Sequence, residues 1–384
     1  MSASSGPAEG ASAAASRRPG PPLPLTVLTG FLGAGKTSLL NRLLKDPALA
    51  DTAVLINEFG EIGLDHLLVE KVEGGLAVLS SGCVCCTMRG DLIDALERLL
   101  RGLDNSRVTF RRVIVETTGL ADPAPVLHTI MLHPYLVMRY RLDGVVTVVD
   151  AVNGLATLEQ HPESVKQVAV ADRIAIAKTD LLDSPARRGA AARLRVRIGR
   201  LNPAAPLLDV AANEATPARL LDCGLYDPDS KTPDVKRWLA AEALAGHAAP
   251  EPHRHHHCDA ERIRSFSVAS DQAISIAAFD MFLDLLRSLH GPKLLRVKGI
   301  VKIAEMPDAP VVIHGVQHVF HPPVALAAWP DADQRTRLVF ITCDLDPRTI
   351  ADLFNAFMGA SSPDAPDRAA LVDNPLVPFG GIDR

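Results

Sequence analysis

The segment GFLGAGKT at residues 30–37 constrains the fold most strongly, because it matches the full pattern G-x-x-x-x-G-K-[ST]. It follows the apolar run Leu25–Leu28, which predicts a strand, and leads into Thr37–Leu44, which predicts an amphipathic helix. A strand–loop–helix unit is the context in which this pattern binds phosphate groups. The alternative interpretation, a glycine-rich turn with a surface lysine, would not need a strand before it and a helix after it. The sequence therefore predicts a P-loop NTPase.

Short β-branched runs and helical segments alternate after this loop. Near-continuous apolar strands indicate burial on both faces, and the intervening helices imply right-handed crossovers between parallel strands. The prediction is an α/β fold with a doubly wound, mostly parallel sheet. The further predicted strands are Val54–Ile56, Val113–Val115, Val145–Val149 and Ile174–Ile176, and the further predicted helices include Asp91–Leu100 and Ala186–Ile198.

A polar, proline-rich stretch at 227–260 precedes a second, smaller α+β domain. Its predicted strands include Val311–Phe320, which would carry His314 and His318 as core or surface histidines. The predicted helices are Ile274–Leu289 and Pro347–Met358. The predicted organisation is a disordered tail at 1–22, a P-loop domain at 23–222, a linker with a His-rich segment at 223–260, the α+β domain at 261–360 and a tail at 361–384.

Composition excludes several classes of partner. Lys and Arg number 40 against 45 Asp and Glu, so a formal charge of -5 gives no general reason to bind nucleic acid or an anionic membrane. The apolar runs are much shorter than the roughly 20 residues of a membrane-spanning helix, and residues 1–22 lack the apolar stretch of a secretory signal. Clustered cysteines do not resemble a disulfide framework, so we expect a cytoplasmic protein.

Three segments supply the predicted nucleotide site. In the loop, glycines let backbone N–H groups converge on phosphates, Lys36 neutralises their charge and the Thr37 hydroxyl is placed for Mg²⁺. Glu116 ends a buried strand, where it can support Mg²⁺, and Gly119 can approach a γ-phosphate. The residues predicted to bind GTP or GDP are Gly30, Gly33, Ala34, Gly35, Lys36, Thr37, Ser38, Gly119, Lys178 and Asp180.

The third segment, AKTD at 177–180, resembles the [NST]-K-x-D motif that recognises guanine. Asp180 would accept hydrogen bonds from the guanine N1 and N2 groups, and the stem of Lys178 would cover the base. Ala177 departs from the pattern, since Asn usually stands there. The carboxylate still favours GTP over ATP, but an ATP-using kinase or ATPase with a structural zinc knuckle remains an alternative.

The segment GCVCC at 82–86 places three thiols within four residues, enough to bind one soft metal ion. Zn²⁺ usually takes four ligands, so Cys83, Cys85 and Cys86 leave one position open, which suits transfer of the ion. A redox pair or buried small side chains are the alternatives. Nearby Glu58, Glu61 and His66 are either auxiliary ligands or solvated loop residues.

Catalysis is predicted to rest on Lys36, Thr37 and Glu116, which stabilise charge on the phosphates. No motif identifies the residue that positions the attacking water; Asp65 and Glu58 are the candidates. We therefore expect slow intrinsic GTP hydrolysis that rises with metal or client.

The motifs GFLGAGKT, NEFGEIGLD, GCVCC, ETTGLADP, TVVDA and AKTDLL together resemble those of the CobW-type metallochaperone GTPases, over roughly residues 23–358. The resemblance implies GTP hydrolysis coupled to delivery of a metal, most often zinc and in some members cobalt, from the cysteines to a client metalloprotein. It also implies a C-terminal domain that recognises partners. We further expect a nucleotide- or metal-dependent homodimer.

The His-rich segment resembles insertions that bind Zn²⁺, Co²⁺ or Ni²⁺ loosely, or it is plain linker; its histidines are His253, His255, His256 and His257. Three other functions stay open at this point: a nucleotide-regulated metal store or sensor, a cobalt-related factor in cobalamin synthesis, and a factor for nitrile hydratase maturation.

Overall fold

Two sheets form the framework of the protein. The structure is a computed structural model that describes residues 21–57, 69–72, 76–81, 88–221 and 262–358. The first sheet has eight strands and the second has six. All strand pairings in the first sheet are parallel except that of its first edge strand, which confirms the predicted doubly wound, mostly parallel fold.

The first sheet has the strand order β3-β4-β2-β5-β1-β6-β7-β8. Its strands are β1 (Leu23–Gly30), β2 (Thr52–Asn57), β3 (Val69–Val72), β4 (Leu76–Ser81), β5 (Arg112–Glu116), β6 (Tyr140–Asp150), β7 (Arg173–Ala177) and β8 (Leu207–Asp209). The helices are α1 (Lys36–Leu43), α2 (Met88–Asp104), α3 (Ala124–Leu132), α4 (Pro134–Arg139), α5 (Gly154–Gln160), α6 (Pro162–Val170), α7 (Pro185–Leu201) and α8 (Pro217–Leu220).

Helices cover both faces of this sheet, which explains why its central strands are apolar throughout. In β1, Leu25 and Val27 pack among side chains of α2 and α3, whereas Leu28 packs among side chains of α1 on the opposite face. Side chains of a strand alternate between faces, so each face of the strand needs its own apolar set.

The carboxyl ends of the central strands meet at one edge of the sheet. Leu28 of β1 pairs with Glu116 of β5, Gly30 pairs with Val148 of β6, and Asp150 of β6 pairs with Ala177 of β7. The loops that follow β1, β5, β6 and β7 therefore leave the sheet side by side. Ligands of open α/β sheets bind at this edge.

The second sheet is antiparallel and carries two helices on one face. Its elements are β9 (Ile263–Ser270), α9 (Ile276–His290), β10 (Leu294–Ile303), β11 (Met306–Val316), β12 (Val319–Phe320), β13 (Val324–Ala325), β14 (Thr336–Cys343) and α10 (Pro347–Phe357). The predicted α+β architecture of this part is confirmed.

The predicted single strand Val311–Phe320 is wrong. Strand β11 ends at Val316, and Gln317 adopts a positive φ of 53° in the turn that leads into the short strand β12. His318 consequently lies exposed in that turn and not in a strand, while His314 is buried in β11.

The two sheets pack against each other through shared apolar and ionic contacts. Val316 and Val319 of the second sheet join the same buried cluster as Leu127 and Ile130 of α3. Ala169 of α6 packs with apolar side chains of β10 and β14. Among the described helices, none has both the length and the apolar character needed to cross a bilayer.

Candidate nucleotide-binding site

The loop between β1 and α1 has the backbone that its glycines predict. Gly30, Gly33 and Gly35 have φ values of 144°, 70° and 102°, which side chains rarely tolerate. A Cβ at Gly30 would also lie 2.3 Å from the Val148 carbonyl oxygen. No side chain caps the start of α1 within the described residues. The loop therefore presents N–H groups and the positive end of the helix dipole, which suit an anion.

Lys36 lies folded over this loop. Its side chain is buried, and Nζ donates to the carbonyl oxygens of Gly30 (3.0 Å) and Phe31 (3.3 Å). The ammonium group thus sits beside the loop that the sequence assigns to phosphates. A bound phosphate would offer the ammonium group a stronger, charge-assisted partner than these carbonyl groups.

Thr37 and Glu116 meet where α1 begins and β5 ends. The Thr37 hydroxyl donates to Glu116 Oε1 at 2.7 Å, and the Glu116 side chain is almost completely buried. Thr117, the next residue, is tied to β1 by donation from its hydroxyl to Thr29 Oγ1 at 2.9 Å. A hydroxyl and a carboxylate next to a phosphate loop are the oxygen ligands that Mg²⁺ takes, so this donor set fits the ion.

Gly119 makes a close backbone approach to the phosphate loop. A Cβ at this position would lie 2.5 Å from the Leu32 nitrogen and 2.7 Å from Leu32 Cα. Only a residue without a side chain fits between the two loops. The predicted role of Gly119 near a γ-phosphate is consistent with this place.

Lys178 connects the phosphate loop to β6. It adopts a left-handed backbone with φ of 63°, and its Nζ donates to the Gly33 carbonyl oxygen (2.7 Å) and to Asp150 Oδ2 (2.8 Å). Asp150 also accepts from the backbone N–H groups of Val152 and Asn153. Burial would raise the pKa of Asp150, but the hydrogen bonds from Lys178 and the backbone hold it below its ordinary value.

The predicted base-recognition loop lies beside β8. Asp180 is exposed, and within the described part of the chain its carboxylate makes no hydrogen bond or ion pair. Thr179 holds the loop in place by donating to Asp209 Oδ1 at 2.6 Å, and Asp209 also accepts from the N–H groups of Ala211 and Ala212. This arrangement leaves the Asp180 carboxylate available to a base.

The structure thus brings the phosphate loop, Glu116, Gly119, Lys178 and Asp180 to one sheet edge. Sequence reasoning gave no role to Asp150, Asn153 or Asp209, although for the two aspartates an acidic residue at the end of an apolar strand was the available signal. The remaining candidates lie outside the described residues, so their predictions stay predictions: Glu58, Glu61, Asp65, His66, Cys83, Cys85, Cys86, His253, His255, His256 and His257. Among the described residues, no group of three His, Cys, Asp or Glu side chains could hold a metal ion.

Two family descriptions match the chain. Residues 24–209 match "CobW/HypB/UreG, nucleotide-binding domain", and residues 263–358 match "Cobalamin synthesis protein cobW C-terminal domain". The first range covers the first sheet except for Leu23, and the second range covers the whole second sheet.

The names of similar proteins refer to zinc and to GTPase activity. The chain is 33% identical over 334 residues to a protein called zinc chaperone YjiA in Escherichia coli, a match that covers 87% of this chain and 98% of the relative. It is 41% identical over 172 residues to zinc-regulated GTPase metalloprotein activator 1 of Schizosaccharomyces pombe, which covers 43% of this chain and 41% of that one. A crystal structure of Zn(II)-bound YjiA GTPase from E. coli is similar with a TM-score of 0.65 at 30% identity, covering 88% of this chain and 99% of that chain.

Proposed function

Because this chain belongs to the CobW family, with a CobW/HypB/UreG nucleotide-binding domain followed by a CobW C-terminal domain, we propose that it binds zinc at Cys83, Cys85 and Cys86 and transfers it to client metalloproteins. The chain is a GTPase of the metallochaperone type. The proposal adds the site of the metal and its transfer, driven by the nucleotide cycle.

The chain's own residues account for nucleotide chemistry as follows. The loop N–H groups and Lys36 bind the phosphates and stabilise the charge that develops as the terminal phosphate leaves. Thr37 and Glu116 would hold Mg²⁺, which, when bound, neutralises charge on the phosphate oxygens. Asp180 accepts hydrogen bonds from guanine, which selects GTP over ATP.

One observation supports a link between the nucleotide and the cysteines. Ser80 of β4, Ile56 of β2 and Glu116 of β5 lie in register across three neighbouring strands. Strands are about 4.8 Å apart, so Ser80 lies roughly 10 Å from Glu116 along the sheet. Strand β4 ends at Ser81, directly before the segment GCVCC. The chain therefore enters the cysteine segment within a short distance of the Mg²⁺ and phosphate residues.

The test is a competition titration of Zn²⁺ against the reduced protein, loaded with Mg²⁺ and either GDP or a non-hydrolysable GTP analogue. We expect the two nucleotides to give different zinc affinities, and Cys85→Ser with Cys86→Ser to abolish tight binding while GDP still binds. Cys343→Ser, on β14 and outside the segment, is the matched control and should keep the zinc.

Three results would contradict the proposal. Tight zinc binding by the double cysteine variant would remove the site. Equal zinc affinity in both nucleotide states, with no effect of zinc on phosphate release, would indicate a metal store. If the protein favoured Co²⁺ over Zn²⁺ more than thiolate ligands ordinarily do, the metal that it transfers would be cobalt and not zinc.

A further inference from the structure

We propose that Gln167 is a positioning residue for GTP hydrolysis, and that through α6 the C-terminal domain controls how firmly Gln167 holds the loop after Glu116. This inference rests on the GTPase activity described above. It concerns a buried contact between residues 117–122 and helix α6, and none of the sequence motifs contains that helix.

Gln167 binds that loop with both hydrogens of its amide. Its side chain is buried, and Nε2 donates to the carbonyl oxygens of Gly119 (3.1 Å) and Ala121 (3.0 Å). An ion pair next to it adds to this attachment, because Lys166 Nζ lies 3.0 Å from Asp122 Oδ2. Since the same loop already touches the Leu32 backbone through Gly119, Gln167 fixes its distance from the phosphate loop.

The other face of the Gln167 amide is unsatisfied. Among the described residues, its Oε1 is buried and has no hydrogen-bond partner. Gln167 lines a cavity of about 170 Å³, together with Phe31 and Leu32 of the phosphate loop and Asn153 of the loop after β6. Water occupies about 30 Å³ in the liquid, so this space is large enough for several molecules. Gln167 therefore connects the loop after Glu116, through its amide nitrogen, to a space that the phosphate loop also lines.

The C-terminal domain grips α6 one turn further on. The carbonyl oxygen of Val170 accepts from Arg296, and the Asp172 carboxylate accepts from Arg296 and Lys298, all within a buried cluster. Both cations belong to β10. Gln167 and Val170 are separated by three residues, which is about 4.5 Å along a helix axis. A helical turn is stiff over that distance, so a shift of the second sheet reaches the Gln167 amide directly.

Asp172 also ties this cluster to the first sheet, because its Oδ2 accepts from the Val145 N–H at 2.9 Å. A client that displaces the second sheet would therefore pull on the end of α6 while β6 stays in place. The consequence is a change in the position of Gly119 relative to the phosphates. The proposed output of partner binding is a change in kcat for GTP, with little change in nucleotide affinity.

The first experiment replaces the donor and keeps the shape of the side chain. In the full-length protein, Gln167→Met should lower kcat for GTP at least tenfold and leave the Kd for GDP within twofold of wild type. A merely structural role would instead weaken GDP binding and lower the thermal midpoint together with kcat. Unchanged kcat would also overturn the proposal.

The second experiment tests the connection to the C-terminal domain. Arg296→Lys keeps the charge but loses the forked contact to Val170 and Asp172, and we expect it to change kcat at least threefold. In a Gln167→Met background the same change should have less than a twofold effect. Additive effects of the two substitutions would refute the connection through α6.

A matched control is Arg337→Lys, since Arg337 is a buried arginine of the same sheet whose acidic partners, Asp331 and Asp333, lie within the C-terminal domain. It should leave kcat unchanged, and an equal effect of both arginine variants would overturn the inference.

If Gln167→Met does not fold, Lys166→Met tests the same attachment of α6 to the loop from the surface. We expect a two- to threefold loss of kcat, and no loss would refute the proposal. A wild-type protein that releases no phosphate from GTP would overturn the GTPase assignment itself, and this inference with it.

Discussion

Replacing Gly119 by alanine should weaken nucleotide binding by obstructing the phosphate loop. The new Cβ would lie 2.5 Å from the Leu32 nitrogen and 2.7 Å from Leu32 Cα, whereas carbon atoms at ease are about 3.5–4.0 Å apart. The two atoms belong to the Leu32 backbone, so rotation of the Leu32 side chain cannot relieve the contact. Overpacking of this kind costs about 1–3 kcal/mol. If the loop moves to relieve the contact, the Kd for GDP should rise roughly 5- to 150-fold.

The assay is a fluorescence titration with a labelled GDP, paired with thermal unfolding of the nucleotide-free protein. Gly189→Ala is the matched control, because a Cβ at that helical position in α7 meets nothing within 4 Å. The control should keep its GDP affinity and gain up to about 1 kcal/mol of stability, since alanine favours a helix over glycine. A Gly119→Ala protein that binds GDP like wild type and unfolds at the same temperature would refute the close approach.

Further predictions concern the charged residues. Lys178→Met removes the donor that joins the phosphate loop to Asp150, and since that lysine is partly exposed we expect a loss of about 1–2 kcal/mol in GDP binding, read in the same titration; unaltered affinity would contradict the bridge. Asp172→Asn leaves Arg296 and its neighbouring lysine buried beside a neutral group, so the free energy of unfolding in urea should fall by about 3–5 kcal/mol; a loss below 1 kcal/mol would argue against a buried pair. Burial and the adjacent cations lower the pKa of His314, so below about pH 6.5 its unfolded form binds a proton that the folded form does not. Stability should therefore fall by up to about 1.4 kcal/mol per pH unit on acidification from this residue, and a His314→Gln protein should show a shallower dependence; identical slopes would show that His314 does not titrate on unfolding.

The first sheet was largely predictable because its strands are buried on both faces. Each predicted strand of the first sheet, such as Val113–Val115 in β5, lies inside an observed one, since an uninterrupted β-branched run has few alternatives. The phosphate loop was predictable for a related reason. Its glycines and Lys36 act through local backbone geometry, and Gly30, Gly33 and Gly35 all have the positive φ values that the motif demands.

Contacts that depend on tertiary structure were not predictable. Gln167 lies 48 residues from Gly119, and a single glutamine in a helix carries no signal of a buried contact. The turn after β11 was predicted as strand because Gln317 and His318 lack the Asn or Gly that marks most two-residue hairpin turns. Packing against α3 fixes that turn instead, and it includes an edge-on contact of His318 with His128 whose ring centroids lie 4.7 Å apart.

The apolar cluster that contains both Val316 and Leu127 makes the two sheets one cooperative unit. A shortened protein that ended after α8 would leave the apolar side chains of α3 facing water and would lose the cations that neutralise Asp172. Calorimetry of the whole chain should accordingly give one transition for both sheets. The CobW C-terminal region therefore cannot be exchanged between relatives as an independent module. In each such chimera, the surfaces of α3 and α6 would have to match the incoming sheet.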